Sequence, residues 1–260
     1  MNRPLILVTN DDSVHSKGIK TLVDIVKQFG DVVVVSSEMP MSGKSSAITV
    51  GDPIRIRETV QNGDSVKVYA VTGTPVDCVK IAFGNLLDRR PDLVVSGINH
   101  GSNASVNVIY SGTLGAVLEA CMHGVPAIGF SLLDHSGNAD FTPGIPYISQ
   151  IVEDVLKNGL PKGSCLNVNI PKIPAEEIKG IKVCSQADSY WTDSFEKRMD
   201  PYGVPYYWLT GISVCENKTP ETDLWALENG YVTVVPTQVD MTDYKMIKTL
   251  ETRYAGTEKK

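Results

Sequence analysis

Short runs of branched apolar residues recur along the first half of the chain, each separated from the next by a segment of helical periodicity. The runs are Leu5-Ile6-Leu7-Val8-Thr9, Val32 to Val35, Val66 to Val71, Leu93-Val94-Val95 and Ala127 to Leu132. Unbroken apolar runs of this length read as strands buried on both faces, which is the mark of a parallel sheet. Between them, Gly18 opens a segment with Ile19, Leu22, Val23 and Val26 on one face, and Gly30 stands at its C-cap position. Thr74-Pro75 supplies an N-cap and a first-turn proline for a helix through Phe83, and Leu114, Val117, Leu118 and Cys121 mark another that Gly124 closes. This βαβ rhythm predicts a three-layer, Rossmann-like α/β fold, with a mostly parallel sheet and helices on both faces.

The second half is less regular. Ile148, Ile151, Val152, Val155 and Leu156 form a helix face ending at Gly159, and Leu166 to Ile170 is a further strand. From Asp188 to Val214 the chain is rich in Tyr and Trp, with Pro201-Tyr202-Gly203 as a turn between strand-like flanks. This segment is predicted to be a β-hairpin projecting from a C-terminal lobe. Its aromatics would meet a partner chain, although covering the protein's own sheet would explain them equally well. Asp223 to Glu228 reads as a short helix and Tyr231 to Val235 as a returning strand, while Thr252 to Lys260 reads as a polar, frayed tail.

At 260 residues the chain can bury a large core, as one domain or as one domain with an appended lobe. A formal net charge of −6 argues against long nucleic acid as a partner, but not against a small anion held by a metal or by helix N-termini. No apolar stretch approaches the ~20 residues that span a bilayer, and Met1-Asn2-Arg3-Pro4 leads directly into a strand, so no membrane association is expected. The cysteines, Cys78, Cys121, Cys165, Cys184 and Cys215, form no CxxC pair or Cys/His cluster. They read as thiols of a reducing compartment, which makes a cytoplasmic location the expectation.

The chemistry-bearing residues lie where these strands end. Asn10-Asp11-Asp12 follows the first strand, at the edge where open α/β sheets place their ligands. Two adjacent carboxylates repel unless a cation or proton compensates them, and Mg²⁺ or Mn²⁺ suits an all-oxygen site. A solvated turn capping the next helix is the bland alternative. Pro40-Met41-Ser42-Gly43-Lys44-Ser45 resembles the end of a Walker A loop, but Glu38 stands where that motif needs glycine. What remains is a loop of small and hydroxyl residues able to approach an anion. Thr72-Gly73-Thr74-Pro75 opens a helix whose free N–H groups suit phosphate, though capping explains it as well. In Ser96-Gly97-Ile98-Asn99-His100-Gly101-Ser102-Asn103, Asn99 could ligate a metal without adding repulsion, and His100 is a candidate general acid or merely exposed. Tyr110-Ser111-Gly112-Thr113 brings hydroxyls to a positive helix end. Gathered on one sheet edge, these loops suit metal-assisted hydrolysis of a phosphate ester.

These segments, together with Val71 to Val79, resemble the motifs of the SurE family of stationary-phase survival proteins, which are 5′/3′-nucleotidases. The resemblance is dense over residues 1–135, implying a Rossmann-like catalytic core there. Residues 136–260 would continue the core and add the hairpin and oligomerisation elements, in one SurE-like domain overall. It implies a metal-dependent phosphomonoesterase acting on nucleoside 5′- and 3′-monophosphates, and on other small phosphate esters, as a homodimer or homotetramer. One divalent ion per subunit, Mg²⁺ or Mn²⁺, would be held by Asp11, Asp12, Ser42 and Asn99. Asp11, Asp12 and Asn99 would be catalytic, with Asn10, Gly43, Gly73, Thr74, Asn103, Ser111, Gly112 and Thr113 binding phosphate. Thr233-Val234-Val235-Pro236-Thr237 departs from the family's usual Ser-Xaa-Thr-Pro-Leu, away from this site.

A receiver domain would need an Asp where Ser96-Gly97 ends the central strand, and a haloacid-dehalogenase phosphatase would need Asp-Xaa-Asp where Asp11-Asp12-Ser13 stands. A non-catalytic nucleotide- or phosphate-binding module remains as the alternative.

Overall fold

The computed structural model describes residues 3–60 and 66–255; Met1-Asn2, residues 61–65 and the tail residues 256–260 lie outside them.

The first strand, β1 (Leu5–Thr9), alternates Ile6 and Val8 towards one face of the sheet with Leu7 towards the other, and all three are fully buried. Ser16 then caps α1 (Lys17–Val26) by accepting from the Ile19 N–H. That helix ends at Lys27, so Gly30 is not its C-cap; Gly30 instead packs against the Pro4 carbonyl, where an added Cβ would come within 2.4 Å.

The chain continues through β2 (Asp31–Ser37), β3 (Ile56–Val60), β4 (Lys67–Val71), α2 (Pro75–Ile81), β5 (Leu93–His100), α3 (Asn107–Tyr110), α4 (Gly112–Met122) and β6 (Ala127–Leu132). It closes with α5 (Ile145–Asn158), β7 (Ser164–Ile170), β8 (Ile181–Val183), β9 (Ser189–Met199), β10 (Pro205–Cys215), α6 (Asp223–Glu228), β11 (Val232–Gln238) and α7 (Tyr244–Tyr254). Three elements depart from the sequence-based expectation. The helix from Thr74 widens into a separate π-helical turn over Ala82–Leu86. The edge strand β3 joins the sheet antiparallel to β4, bearing the exposed charges Arg57 and Glu58 that suit an edge. Thr252 and Tyr254 belong to α7, not to a frayed tail.

Nine strands form one sheet in the order β3-β4-β2-β1-β5-β6-β7-β11-β8, and β9 and β10 form a separate antiparallel hairpin. From β1 the chain moves outward through β2 on one side and later through β5 on the other, so the β1/β5 boundary is the topological switch point. Both neighbours pair with β1 in parallel, which puts the ends of β1, β2 and β5 on one edge. Helices α1 and α5 cover one face around Ile19, Leu22, Ile148 and Val152, while α2 and α4 cover the other around Val79, Leu114 and Val117. The five cysteines are free thiols. Among the described residues no helix is long and apolar enough to cross a membrane.

Candidate active site

At the switch point β1 runs out into Asn10-Asp11-Asp12. The Asn10 side chain is fully buried and engaged at both ends, donating to Ser16 Oγ at 2.7 Å and accepting from Ser36 Oγ at 2.6 Å. It therefore ties β1 to α1 and β2, and offers nothing to a phosphate. Asp11 follows, only 4% exposed. Its Oδ1 accepts from Thr113 Oγ1 at 2.5 Å across 102 positions of sequence. Gly112 lies so close that an added Cβ would stand 2.8 Å from the Asp11 Cβ and 3.0 Å from Oδ2. Glycine at 112 is thus required by the carboxylate's position. Asp12 is less buried and accepts from the His100 backbone N–H at 3.0 Å, which fixes the end of β5 against the end of β1.

Neither carboxylate has a Lys or Arg partner among the ion pairs of the described residues. Burial pushes the Asp11 carboxyl up to about 6; the Thr113 hydroxyl pulls against the rise and the Asp12 charge adds to it. Burial raises Asp12 as well, opposed by the His100 N–H and by the charges that His100 and His135 can carry. Two neighbouring carboxylates, one buried and one half-buried, with no Lys or Arg beside them form a site that a cation would stabilise.

Neutral donors stand close by in sequence and in space. Asn99 is 9% exposed, and its amide NH₂ donates to the Gly101 carbonyl at 2.8 Å, which leaves Oδ1 as its uncommitted oxygen. Ser42 is exposed in the loop after β2, held beside the site because the Met41 N–H donates to the Asp11 carbonyl at 2.7 Å. Gly43 takes a positive φ of 72° with open space around it, as a loop free to approach an anion requires. No three His, Cys, Asp or Glu side chains among the described residues gather to hold a metal. A cation at this edge would rest on two carboxylates completed by neutral oxygens, and the residues present fit a hard divalent ion.

Several residues expected to bind phosphate serve structural bonds. Ser111 is the N-cap of α4, accepting from the Leu114 N–H at 3.1 Å. Thr113 is wholly buried and spends its hydroxyl on Asp11, so the anion at the start of α4 is that carboxylate. Thr74 and Asp77 form a capping box, and the Thr74 hydroxyl donates to the Ala47 carbonyl at 2.7 Å. An added Cβ on Gly73 would meet the Asp77 side chain at 2.7 Å, so Gly73 too belongs to this cap. Because Asp77 already places an acid at that helix start, a second anion there would be repelled. The Asn103 amide donates to Ser131 Oγ at 2.8 Å inside a buried network with Asn167 and Asn169. The ring of His100 meets the Ser136 carbonyl through Nδ1 at 2.9 Å and packs perpendicular to Phe141, which fixes its orientation.

His135 escaped the sequence reading. Its ring fills the space that only a glycine leaves at Gly101, 2.2 Å from where a Cβ would be, and it lies near enough to act electrostatically on Asp12. Its place just after β6 was the available signal, since parallel-sheet sites gather at strand ends.

Comparison with known proteins agrees with this geometry. A family model described as "Survival protein SurE" matches residues 6–193. The chain is 55% identical over 249 residues to the 5'-nucleotidase SurE of Christiangramia forsetii, covering 95% of this chain and 96% of that protein. It is 50% identical over 250 residues to the 5'-nucleotidase SurE of Flavobacterium johnsoniae, covering 96% of each. Among solved structures, the SurE protein of Aquifex aeolicus superposes with a TM-score of 0.82 at 38% identity, covering 96% of this chain and 99% of that one.

Proposed function

The chain belongs to the SurE family, and from that premise we propose that it is a metal-dependent phosphomonoesterase that hydrolyses nucleoside 5′- and 3′-monophosphates, with Asp11 and Asp12 at its centre. The observation that carries this reading is the adjacent carboxylates of buried Asp11 and half-buried Asp12, with no Lys or Arg partner among the described residues, at the β1/β5 switch point. Asp11, Asp12, Asn99 Oδ1 and Ser42 Oγ would hold one Mg²⁺ or Mn²⁺ per subunit. Such an ion offsets charge on phosphoryl oxygens and acidifies water.

The chain's own residues do the rest. Thr113 Oγ1 and the packed Gly112 orient the Asp11 carboxylate, and the His100 N–H orients Asp12. The Gly101 carbonyl engages the Asn99 NH₂, which leaves the amide oxygen free to act as a ligand. The Ser42-Gly43 loop is the exposed wall through which a phosphate ester enters. Residues 1–135 form the catalytic core, and 136–260 complete the sheet and supply the hairpin that joins subunits, in one domain. Free thiols support a cytoplasmic location, since a reducing compartment keeps them unpaired.

Assaying a panel of nucleoside 5′- and 3′-monophosphates with and without a chelator tests the proposal. Turnover should vanish on chelation and return with Mg²⁺ or Mn²⁺. Phosphate binding without turnover under every metal would leave a non-catalytic binding module instead.

A further inference from the structure

Beside the carboxylate site lies a cavity of about 500 Å³, lined by Tyr110, Trp191, Asp193, Leu209, Thr210 and Gly211. One wall is the end of α3 and the other is the base of the β9–β10 hairpin. Directly paired residues of an antiparallel ribbon share a face, and successive residues alternate. Trp191 pairs with Ser213, Asp193 with Gly211 and Phe195 with Leu209, so Trp191, Asp193 and Leu209 share the face that meets Tyr110. Tyr190, Tyr206 and Trp208 lie on the opposite face, where Tyr206 and Trp208 pack edge to face at 6.3 Å between centroids. The two halves of the hairpin's aromatic content therefore serve different surfaces.

The inward face is fixed in place. The Trp191 indole N–H donates to Asn107 Oδ1 at 2.9 Å, which pins the ring to α3. At the hairpin base, Ser189 Oγ meets Ser105 Oγ at 2.6 Å, and Ser105 also donates to the Ala187 carbonyl. The Tyr110 carbonyl accepts from the Ser45 N–H, so the same segment borders the Ser42 loop. Tyr110 stands two residues before Gly112, a separation of at most about 7 Å, and Gly112 touches Asp11. The cavity thus begins one short step from the carboxylates. The Asp193 side chain has no hydrogen-bond or ion-pair partner among the described residues. Its carboxylate can only accept when ionised.

We propose that this cavity is the nucleobase subsite, taking a purine stacked on Trp191 beside Tyr110, with Asp193 accepting from the base's N–H edge. The inference rests on the nucleotidase reading and names the substrate class of that site. Flat aromatic side chains suit a base because every base offers a π-face, and a carboxylate adds selection by edge. Guanine presents two adjacent N–H donors there, which makes guanosine monophosphate the favoured substrate.

The test uses the full chain and compares guanosine 5′-monophosphate with ribose 5-phosphate, which lacks a base. Trp191→Ala should lower the ratio of their kcat/KM values roughly tenfold or more, mainly through KM for the nucleotide. Trp191→Phe should restore most of the ratio, because a ring remains. Asp193→Asn should reduce the preference for guanosine over adenosine monophosphate. An unchanged ratio in Trp191→Ala would overturn the subsite. If the wild type hydrolyses neither ester, the nucleotidase reading fails, and calorimetric titration with guanosine then decides the subsite separately. Binding lost in Trp191→Ala upholds it; binding equal in both proteins, or absent from both, overturns it.

Discussion

The switch-point edge and the β9–β10 hairpin are built on opposite principles. At the edge, Asn10, Thr113 and Asn103 are buried and hydrogen-bonded, and Asp11 is held from both the α4 and β2 sides. The hairpin is exposed along nearly its whole length, with Phe195 66%, Trp208 57% and Ile212 68% accessible. The first region completes itself within one chain, apart from a counter-charge for two carboxylates. The second leaves apolar surface that a single chain does not cover. The contrast teaches that this protein is densely hydrogen-bonded where chemistry is proposed and exposed along the hairpin.

Removing a carboxylate attacks the hydrogen-bonded side of that contrast most strongly. Asp11→Asn should cost several kcal/mol of transition-state stabilisation, of the order expected when a catalytic ion is lost. Its thermal melting point should be equal or higher, since a buried like-charge repulsion disappears. Full activity in steady-state assays of this variant would remove the metal-site proposal.

A positioning residue should give a smaller effect. Thr113→Val deletes the hydroxyl that orients Asp11 and should reduce metal affinity or turnover by about 10- to 100-fold. Isothermal titration with Mn²⁺ checks the affinity. A change confined to KM for the nucleotide would show that Thr113 serves the phosphate after all.

The open side is tested by deleting the hairpin over residues 190–214. Light scattering should show the full-length protein as a dimer or tetramer and the shortened one in a lower state, with Asp11, Asp12, Ser42 and Asn99 retained. A full-length monomer at micromolar concentration would mean that the outward aromatics need no partner.

The smallest effect is expected at the α2 cap. Burial alone would raise the Asp77 carboxyl, but the Thr49 hydroxyl, with the Thr49 and Thr74 N–H groups, holds it below the usual carboxylate value. A depressed folded value means stability present above the unfolded pKa, near about 3.9, and lost as pH falls through the folded one. Asp77→Asn should therefore cost about 1 kcal/mol at neutral pH, with the difference from wild type shrinking in acid denaturation. A constant difference across that range would assign the loss to packing.

The sequence by itself determined the parallel core, the order of the site loops and the acidic pair, because these follow from residue periodicity and turn chemistry within a few positions. Strands such as Leu5–Thr9 and Ala127–Leu132 have their observed bounds for that reason. Tertiary structure alone decided what each hydroxyl and amide does. Nothing local in Tyr110-Ser111-Gly112-Thr113 distinguishes a phosphate cradle from a grip on Asp11, since the choice depends on a strand 102 positions away. The same holds for Asn10, which the register of β1 against β2 turns into a latch on Ser36. It holds again for the hairpin, where two-residue alternation sends Trp191 towards Tyr110 and Trp208 outward. Hydrogen-bond partners and ribbon faces are set by pairing across long stretches of chain, and that pairing exists only once the sheet has formed.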